Sequence, residues 1–145
     1  MVSQTTEYAI RAVVMLAHLQ ARGPVDNRTL AQKSQIPVSY LPKILQSLGR
    51  SGLTRSKRGV GGGSVLLRPA EQITILDIVN AVDPIPRIKG CPLGLKTHCR
   101  RLCPMHDRLD KAMAEVESVL GASTVAELLA DESRPLPMME TDRFA

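Results

Sequence analysis

Residues 36–67 read IPVSYLPKILQSLGRSGLTRSKRGVGGGSVLL, and this stretch decides the fold. Its first half spaces apolar residues by three and four, as on one face of a helix: Leu41, Ile44, Leu45 and Leu48. Ser39 can cap this helix, and Pro42 is tolerable because it falls in the first turn. The second half contains two short strand-like runs, 53–56 and 64–67, joined by a glycine loop. A helix followed by such a hairpin predicts the recognition helix and wing of a winged helix-turn-helix.

Two further helices are predicted before the recognition helix, and one after the hairpin. Residues 5–21 carry apolar side chains at helical spacing, and residues 27–33 fit a shorter helix. Residues 73–82 form a compact apolar helix that we expect to pack on the wing and complete the core. The expected fold is mainly α with a small β-hairpin wing, and the winged helix-turn-helix is expected to occupy residues 1–83.

The region around the predicted recognition helix is basic throughout. Residues 27–70 contain eight lysines and arginines and no aspartate or glutamate. A solvated face would explain the charge, but its spacing among regular apolar positions favours a folded surface for phosphate backbones. With two tyrosines, one phenylalanine and no tryptophan, base stacking is poorly supported, which favours duplex DNA. Four basic residues are predicted to contact DNA: Arg50, Arg55, Lys57 and Arg58.

Composition limits the chain to one compact domain with appended helices. With 145 residues and 43% hydrophobic content, it can bury one core but hardly two. No stretch has the apolar length of a membrane span, and the N-terminus lacks a signal-peptide pattern. Three cysteines, an odd number, argue against a disulfide framework and for a reducing environment. We therefore expect a cytoplasmic protein with no membrane partner.

A long helix is predicted over residues 104–120. Its apolar residues lie four, three and four apart in one stripe: Leu109, Met113, Val116 and Leu120. Packing in the core of its own domain would explain the stripe. Near the acidic C-terminal part of the chain, however, little of that domain remains for the helix to cover, so a homodimer interface is favoured. Thr124 and Glu127 are spaced as a capping box for a short helix. Residues 104–130 are thus expected to form the dimerisation helix and a short C-terminal helix, followed by a disordered tail over 131–145.

Residues 84–103 form a cysteine-bearing loop that we expect to act as a sensor. The loop and the helix after it carry the pattern C-x7-C-x3-C-x2-H: Cys91, Cys99, Cys103 and His106. Cys103 and His106, three apart at a helix start, can face the same way. Residue types alone leave three interpretations open: an iron–sulfur cluster, a structural zinc site, or unliganded thiols. His98, beside Cys99, can replace His106 as a ligand.

The residue pattern does not favour an enzyme. The sequence has no C-x-x-C pair and no evident Ser/His/Asp or paired-carboxylate set for a thiol-dependent catalyst. The glycine loop lacks the Gly-Lys-Ser/Thr of a phosphate-binding loop, and a flexible turn explains it. A non-enzymatic protein is expected, and an interaction subunit that modulates another protein is a further alternative.

Four stretches occur in a specific order along the chain. They are Ser3-Gln-Thr-Thr-Glu-Tyr8-Ala-Ile-Arg-Ala, Ile36-Pro-Val-Ser39-Tyr40-Leu41-Pro-Lys43-Ile-Leu45, Arg58-Gly59-Val-Gly61-Gly62-Gly63-Ser-Val-Leu66 and Ile73-Thr-Ile-Leu-Asp-Ile-Val-Asn-Ala-Val82. Together they resemble the IscR/NsrR/RirA/CymR family of bacterial winged-helix regulators, over about residues 1–130. The resemblance implies a dimeric transcription regulator, most often a repressor, that binds a palindromic operator and pairs through the long helix.

The resemblance also implies DNA-contacting residues. It assigns recognition contacts to Ser39, Tyr40 and Lys43. Arg58 and the wing glycines are implied to enter the minor groove, and these glycines include Gly59, Gly61 and Gly62. Pro42 stands where IscR has a glutamate. Because a proline side chain cannot accept from a cytosine amine, the operator preference should differ.

For the cysteine loop, the resemblance implies a [2Fe-2S] cluster. Cys103 and His106 reproduce the pair that completes the cluster site in IscR, while Cys99 is displaced toward the third cysteine. CymR-like members regulate without a cluster, through a partner protein. The alternative is therefore a cluster-free regulator controlled by thiol oxidation, structural zinc or a partner.

Overall fold

The computed structural model describes residues 2–98 and 100–139. Within this part, the chain forms six α-helices and one antiparallel two-stranded hairpin. The elements are α1 (Gln4–Leu19), α2 (Asn27–Ser34), α3 (Leu41–Arg50), β1 (Thr54–Lys57), β2 (Gly63–Leu66), α4 (Ile75–Val82), α5 (Pro104–Gly121) and α6 (Val125–Ala130). Short 3-10 turns occupy Gln20–Arg22, Ala70–Gln72 and Lys96–His98. This order of helices and hairpin confirms the predicted fold class.

Side-chain caps define the starts of α1 and α2. The hydroxyl of Ser3 accepts the N–H of Thr6 at 3.2 Å. The carboxylate of Asp26 accepts both the N–H of Thr29, at 2.9 Å, and its hydroxyl, at 2.7 Å. These two hydrogen bonds, the backbone one first, lower the pKa of Asp26. α2 then ends at Gln35, whose left-handed conformation turns the chain toward α3.

The start of α3 differs from the sequence prediction. Ser39 was predicted to cap the helix, and this is wrong: the capping position is Tyr40, and no side chain caps α3. The N–H of Tyr40 donates to the carbonyl of Pro37 at 2.9 Å, which closes a turn before the helix and leaves Ser39 one residue too early. Pro42 does lie in the first turn, as the sequence predicts.

α1 lies at the centre of the core and packs against α2, α3, α4 and α6. The predicted apolar stripe of α3 is buried against it at all four positions: Leu41, Ile44, Leu45 and Leu48. α4 contributes Ile78 and α6 contributes Val125, both with no exposed surface. Each fully buried side chain of this size contributes roughly 1.5–3 kcal/mol. α3 is therefore held firmly by its inner face, which leaves its outer face in a fixed orientation.

A backbone bridge joins the starts of α4 and α6, and each of these helices begins with a capping box. Thr74 and Asp77 cap α4 reciprocally, and the predicted capping box of Thr124 and Glu127 at α6 is confirmed. Between them, the N–H of Ile75 donates to the carbonyl of Ser123, and the N–H of Val125 to that of Ile73, each at 2.9 Å. These bonds attach the segment after α5 to the core of the winged domain.

The segment after α6 is described as far as residue 139. Met138 is half-buried and packs against the core. Residues 140–145 of the predicted disordered tail lie outside the described residues. Along the described part of the chain, no helix combines the length and the apolarity needed to cross a membrane.

Candidate nucleic-acid interface and cysteine loop

The outer face of α3 is polar and basic. Its exposed residues stand opposite the buried apolar stripe: Pro42, Lys43, Gln46, Gly49 and Arg50. Among them are two predicted contacts, Lys43 and Arg50. Gln46 was missed by the sequence analysis, although its helical position opposite the stripe could have revealed it.

The residues at the start of α3 are positioned by α1. The ring of Tyr40 lies edge-on against that of Tyr8, with centroids 5.9 Å apart. The guanidinium of Arg11 lies 5.4 Å from the centroid of Tyr8 and also donates to the carbonyl of Gln35 at 3.1 Å. Tyr40 remains half-exposed and Ser39 is exposed. Both predicted contacts therefore stand at the surface beside the turn into α3.

The wing is a short hairpin with basic residues on its exposed side. β1 pairs with β2 in the register Arg55↔Val65 and Lys57↔Gly63. The predicted contacts Arg55, Lys57 and Arg58 are all exposed. On its other edge, β2 exchanges two hydrogen bonds with Val25, at 3.0 and 2.8 Å, which attach the wing to the segment before α2.

Two wing glycines are required by close backbone approach. A Cβ on Gly62 would lie 2.2 Å from the carbonyl oxygen of Lys57, and one on Gly63 would lie 2.4 Å from that of Val25. Gly59 and Gly61, nearer the tip, have φ of 101° and 73°. The glycine loop is thus not merely a flexible linker, because its backbone fills a restricted space beneath the tip.

A cleft of about 660 Å³ lies between α3 and the wing. It brings predicted contacts Arg55, Lys57, Arg58, Gly59 and Gly62 together with Pro42 and Gln46 of α3. Lys43 and Arg50 lie on α3 outside its lining, and Gly61 lies at the exposed tip. The cleft thus places cationic side chains and exposed backbone beside α3. This arrangement suits contact with the edge of a DNA groove and the phosphates along it.

α5 carries two apolar rows rather than the single predicted stripe. Met113 and Leu120 are half-buried and, together with the edge of Val116, line an apolar cavity of about 480 Å³ beside α4 and the loop after it. Leu109 and Val116 are exposed and belong to an outward row spaced four, three, four and three: Met105, Leu109, Ala112, Val116 and Val119. That spacing is the 3-4 repeat of a coiled-coil seam.

An ion-pair cluster ties the start of the cysteine loop to α5. Arg87 donates to both carboxylate oxygens of Asp110, at 2.7 and 2.8 Å, and to Glu117 at 2.7 Å. The N–H of Ile88 also donates to Asp110, at 2.8 Å. The hydrogen bonds from Arg87, followed by that from Ile88, lower the pKa of Asp110 to about 2, and the bonds to Asp110 and Glu117 raise the pKa of Arg87. No pattern in the sequence indicates these ion pairs.

The cysteine loop presents two separate Cys–His pairs. Sγ of Cys91 lies 3.7 Å from Nδ1 of His98, and Sγ of Cys103, at the capping position of α5, lies 3.4 Å from Nδ1 of His106. Cys91 and Cys103 are half-buried free thiols. Cys99 lies outside the described residues. In the part of the chain that is described, no three donor side chains converge on one point.

A helix-turn-helix with an exposed basic face and a basic wing defines a winged-helix protein of the DNA-binding regulator class. Residues 2–131 match the Rrf2 family, described as iron-dependent transcriptional regulators, and the chain belongs to that family. It is 34% identical over 124 residues to an HTH-type transcriptional regulator of Haemophilus influenzae, covering 84% of this chain and 81% of that one.

Two similarities involve IscR. IscR of Xenorhabdus nematophila is 28% identical over 125 residues, which cover 86% of this chain and 76% of that one. The solved structure of T. potens IscR matches with a TM-score of 0.75 at 23% identity, covering 100% of this chain and 96% of that chain. These findings confirm the family resemblance and the non-enzymatic prediction, and the chain is a transcriptional regulator.

Proposed function

We propose that this chain is a homodimeric, cytoplasmic repressor that binds a palindromic operator, with an iron–sulfur cluster on the cysteine loop modulating its DNA affinity. The observation that carries the proposal is the cleft between α3 and the wing, where cationic side chains flank an exposed helix face. In this arrangement α3 enters the major groove, while Arg58 and the wing glycines approach the adjacent minor groove. The repressor role and the palindrome follow from the family resemblance.

The outward row of α5 supports a homodimer. Five apolar residues in this row are exposed at coiled-coil spacing, and Val119 has 65% of its surface exposed. A second copy of the same helix can cover them, and burial of apolar area stabilises such a pair. Because two recognition helices must then reach half-sites about 34–36 Å apart, the relative position of α5 and the winged domain controls operator fit.

The donor set of the loop fits an iron–sulfur cluster by its chemistry. Three thiols and an imidazole, from Cys91, Cys99, Cys103 and His106, are ligand types that such clusters use. When bound, the cluster supplies a redox-active centre whose state depends on its ligands. Cys103 is at the capping position of α5 and His106 lies in its first turn, so their ligation would hold the start of that helix to the loop. A change at these residues can thereby alter the spacing of the recognition helices.

The test is to purify the full chain without oxygen and assay iron, sulfide and zinc together with binding to a randomised duplex DNA library. We expect iron and sulfide in equal amounts and selection of a palindrome. Cys103→Ala should abolish the iron but preserve the dimer, whereas His18→Ala, at an exposed histidine on α1, should preserve both. Wild-type protein that selects no DNA sequence would refute the proposed operator binding.

A cluster-free regulator is the second candidate. The observation that favours it is the separation of the described donors into two Cys–His pairs, Cys91 with His98 and Cys103 with His106. Regulation would then act through thiol oxidation, structural zinc or a partner protein. Zinc in place of iron and sulfide, or no metal at all, would favour this candidate and leave the DNA-binding proposal intact.

A further inference from the structure

One side chain on the outer face of α3 differs in chemistry from its neighbours. Among the exposed residues of α3, all of which the structure describes, Gln46 alone carries both a hydrogen-bond donor and an acceptor. Pro42 has neither in its side chain, and Gly49 has no side chain. Lys43 and Arg50 offer donors only, which suit phosphates or guanine. On the outer face of α3, Gln46 is therefore the side chain suited to a base that presents one donor and one acceptor.

The fold gives Gln46 a fixed position. It lies one turn beyond Pro42 and faces away from the buried stripe, so its backbone is held by Ile44, Leu45 and Leu48. Its side chain lines the cleft toward the wing. No hydrogen bond ties its amide to another of the described residues, so the amide is available to a ligand. A rigid helix with a free amide is the arrangement that direct base readout requires.

We propose that Gln46 reads an adenine in each half-site of the operator, its carbonyl accepting from the adenine N6 amino group and its amide donating to N7. This inference rests on the proposed DNA binding and adds the base that the site selects. Adenine is chosen because its major-groove edge presents an acceptor and a donor side by side, which matches a carboxamide. Guanine presents two acceptors at that edge and would leave the Gln46 carbonyl unpaired.

The experiment compares wild-type protein, Gln46→Ala, Gln46→Arg and the control Gln32→Ala in selections from a randomised duplex library. Gln32 is also an exposed glutamine, on α2 and outside the cleft. Wild-type protein and the control should select one adenine per half-site at the same symmetric position. Gln46→Ala should reduce that preference by about tenfold or more without changing the other positions. Gln46→Arg should replace the adenine with guanine.

The outcomes separate this inference from the proposed function. If Gln46→Ala selects the same adenine as wild-type protein, the assignment to Gln46 is overturned while DNA recognition stands. The inference is also overturned if wild-type protein selects a sequence in which no adenine depends on the side chain at position 46. If wild-type protein selects no sequence at all, the proposed operator binding fails as well. Thermal unfolding of each variant checks that the exposed substitution leaves the fold intact.

Discussion

The guanidinium of Arg87 donates two parallel hydrogen bonds to the carboxylate of Asp110, across the junction between the cysteine loop and α5. Arg87 donates a third hydrogen bond to Glu117, which lies two helical turns beyond Asp110 on α5. This bidentate geometry is stronger and more directional than a single ion pair. Arg87 lies four residues before Cys91. Its hydrogen bonds to Asp110 and Glu117 therefore fix the start of the cysteine loop relative to α5, the helix that follows the loop.

The first prediction concerns the pH dependence of stability. The pKa of Asp110 lies at about 2, below its ordinary value of 3.8. A lowered pKa means that its stabilising effect is complete above the unfolded value and is lost as the pH falls through the folded one. The difference in unfolding free energy between wild-type protein and Asp110→Asn should therefore be constant above about pH 5 and shrink between pH 4 and 2.

Urea unfolding at several pH values and one fixed protein concentration measures this difference. Asp107→Asn is the matched control, because Asp107 pairs with Lys111 on the same helix and that lysine is 72% exposed. It should change stability much less than Asp110→Asn at neutral pH. A difference for Asp110→Asn that stayed constant down to pH 2 would show that the Arg87 contact does not stabilise the charged carboxylate.

The second prediction concerns the attachment of the wing. Ala at position 63 would place its Cβ 2.4 Å from the carbonyl oxygen of Val25, at a φ of 148°. The backbone must then shift, which disturbs the hydrogen bonds between Val25 and Ser64. Gly63→Ala should lower the free energy of unfolding by about 1–3 kcal/mol and weaken DNA binding.

Gly90→Ala provides the control for this substitution, because Gly90 has open space around it and no left-handed φ. Chemical denaturation and duplex binding should be unchanged in that variant. If Gly63→Ala were as stable as Gly90→Ala, the wing would not depend on this close approach.

Periodicity predicted some parts of this molecule better than others. The buried face of α3 was predicted at all four positions because side chains three and four apart share a helix face. The same reasoning merged two rows on α5. Leu109 is a helical neighbour of both Met113 and Ala112, and Val116 is a helical neighbour of both Met113 and Val119. Which row packs inward depends on where α4 lies, and local spacing does not contain that information.

The contacts in the loops and turns could not be predicted from the sequence for a similar reason. The cap predicted at Ser39 failed because the hydrogen bond from Tyr40 to Pro37 moved the helix start by one residue. The pairing of Cys91 with His98 depends on a 3-10 turn within the cysteine loop, where no repeating pattern guides prediction. The Arg87 bonds join residues 23 and 30 positions apart, so only tertiary structure reveals them.

The third prediction concerns a buried hydroxyl. Thr54 is 2% exposed, and its Oγ1 has no hydrogen-bond partner among the described residues. A buried polar group without a partner costs about 1–3 kcal/mol. Thr54→Val, which replaces the hydroxyl by a methyl group of similar size, should raise the free energy of unfolding by about 1 kcal/mol.

Thr6→Val is the matched control in denaturant unfolding. Thr6 is equally buried, but its hydroxyl lies 3.0 Å from that of Ser3 at the cap of α1. The same chemical change should therefore be destabilising there, by about 1 kcal/mol. A loss of stability at both positions would mean that the Thr54 hydroxyl has a favourable interaction in solution.

The fourth prediction tests the outward row of α5. Val119→Glu introduces a charge into the proposed seam, and burying an unpaired charge is costly. The variant should shift from dimer to monomer in analytical ultracentrifugation. Val60→Glu, at the fully exposed wing tip, should remain dimeric. A dimeric Val119→Glu protein would exclude this row as the interface.

The fifth prediction distinguishes phosphate contacts from base reading. Arg58 is exposed on the wing and lines the cleft, so its replacement should remove a phosphate contact in each protomer. Each contact contributes about 0.9 to the slope of the logarithm of the binding constant against the logarithm of salt concentration. In a dimer, Arg58→Ala should therefore reduce that slope by about 1.8 and weaken binding on every sequence alike.

Duplex binding measured at several salt concentrations gives the slope directly. Arg134→Ala is the control, because Arg134 is 81% exposed beyond α6 and pairs only loosely with Asp131, at 3.9 Å. Its slope should equal that of wild-type protein. If Arg58→Ala altered the selected sequence but kept the wild-type slope, Arg58 would contact base edges rather than phosphates. Sequence-independent binding would then depend on other cations, such as Lys57 and Arg55.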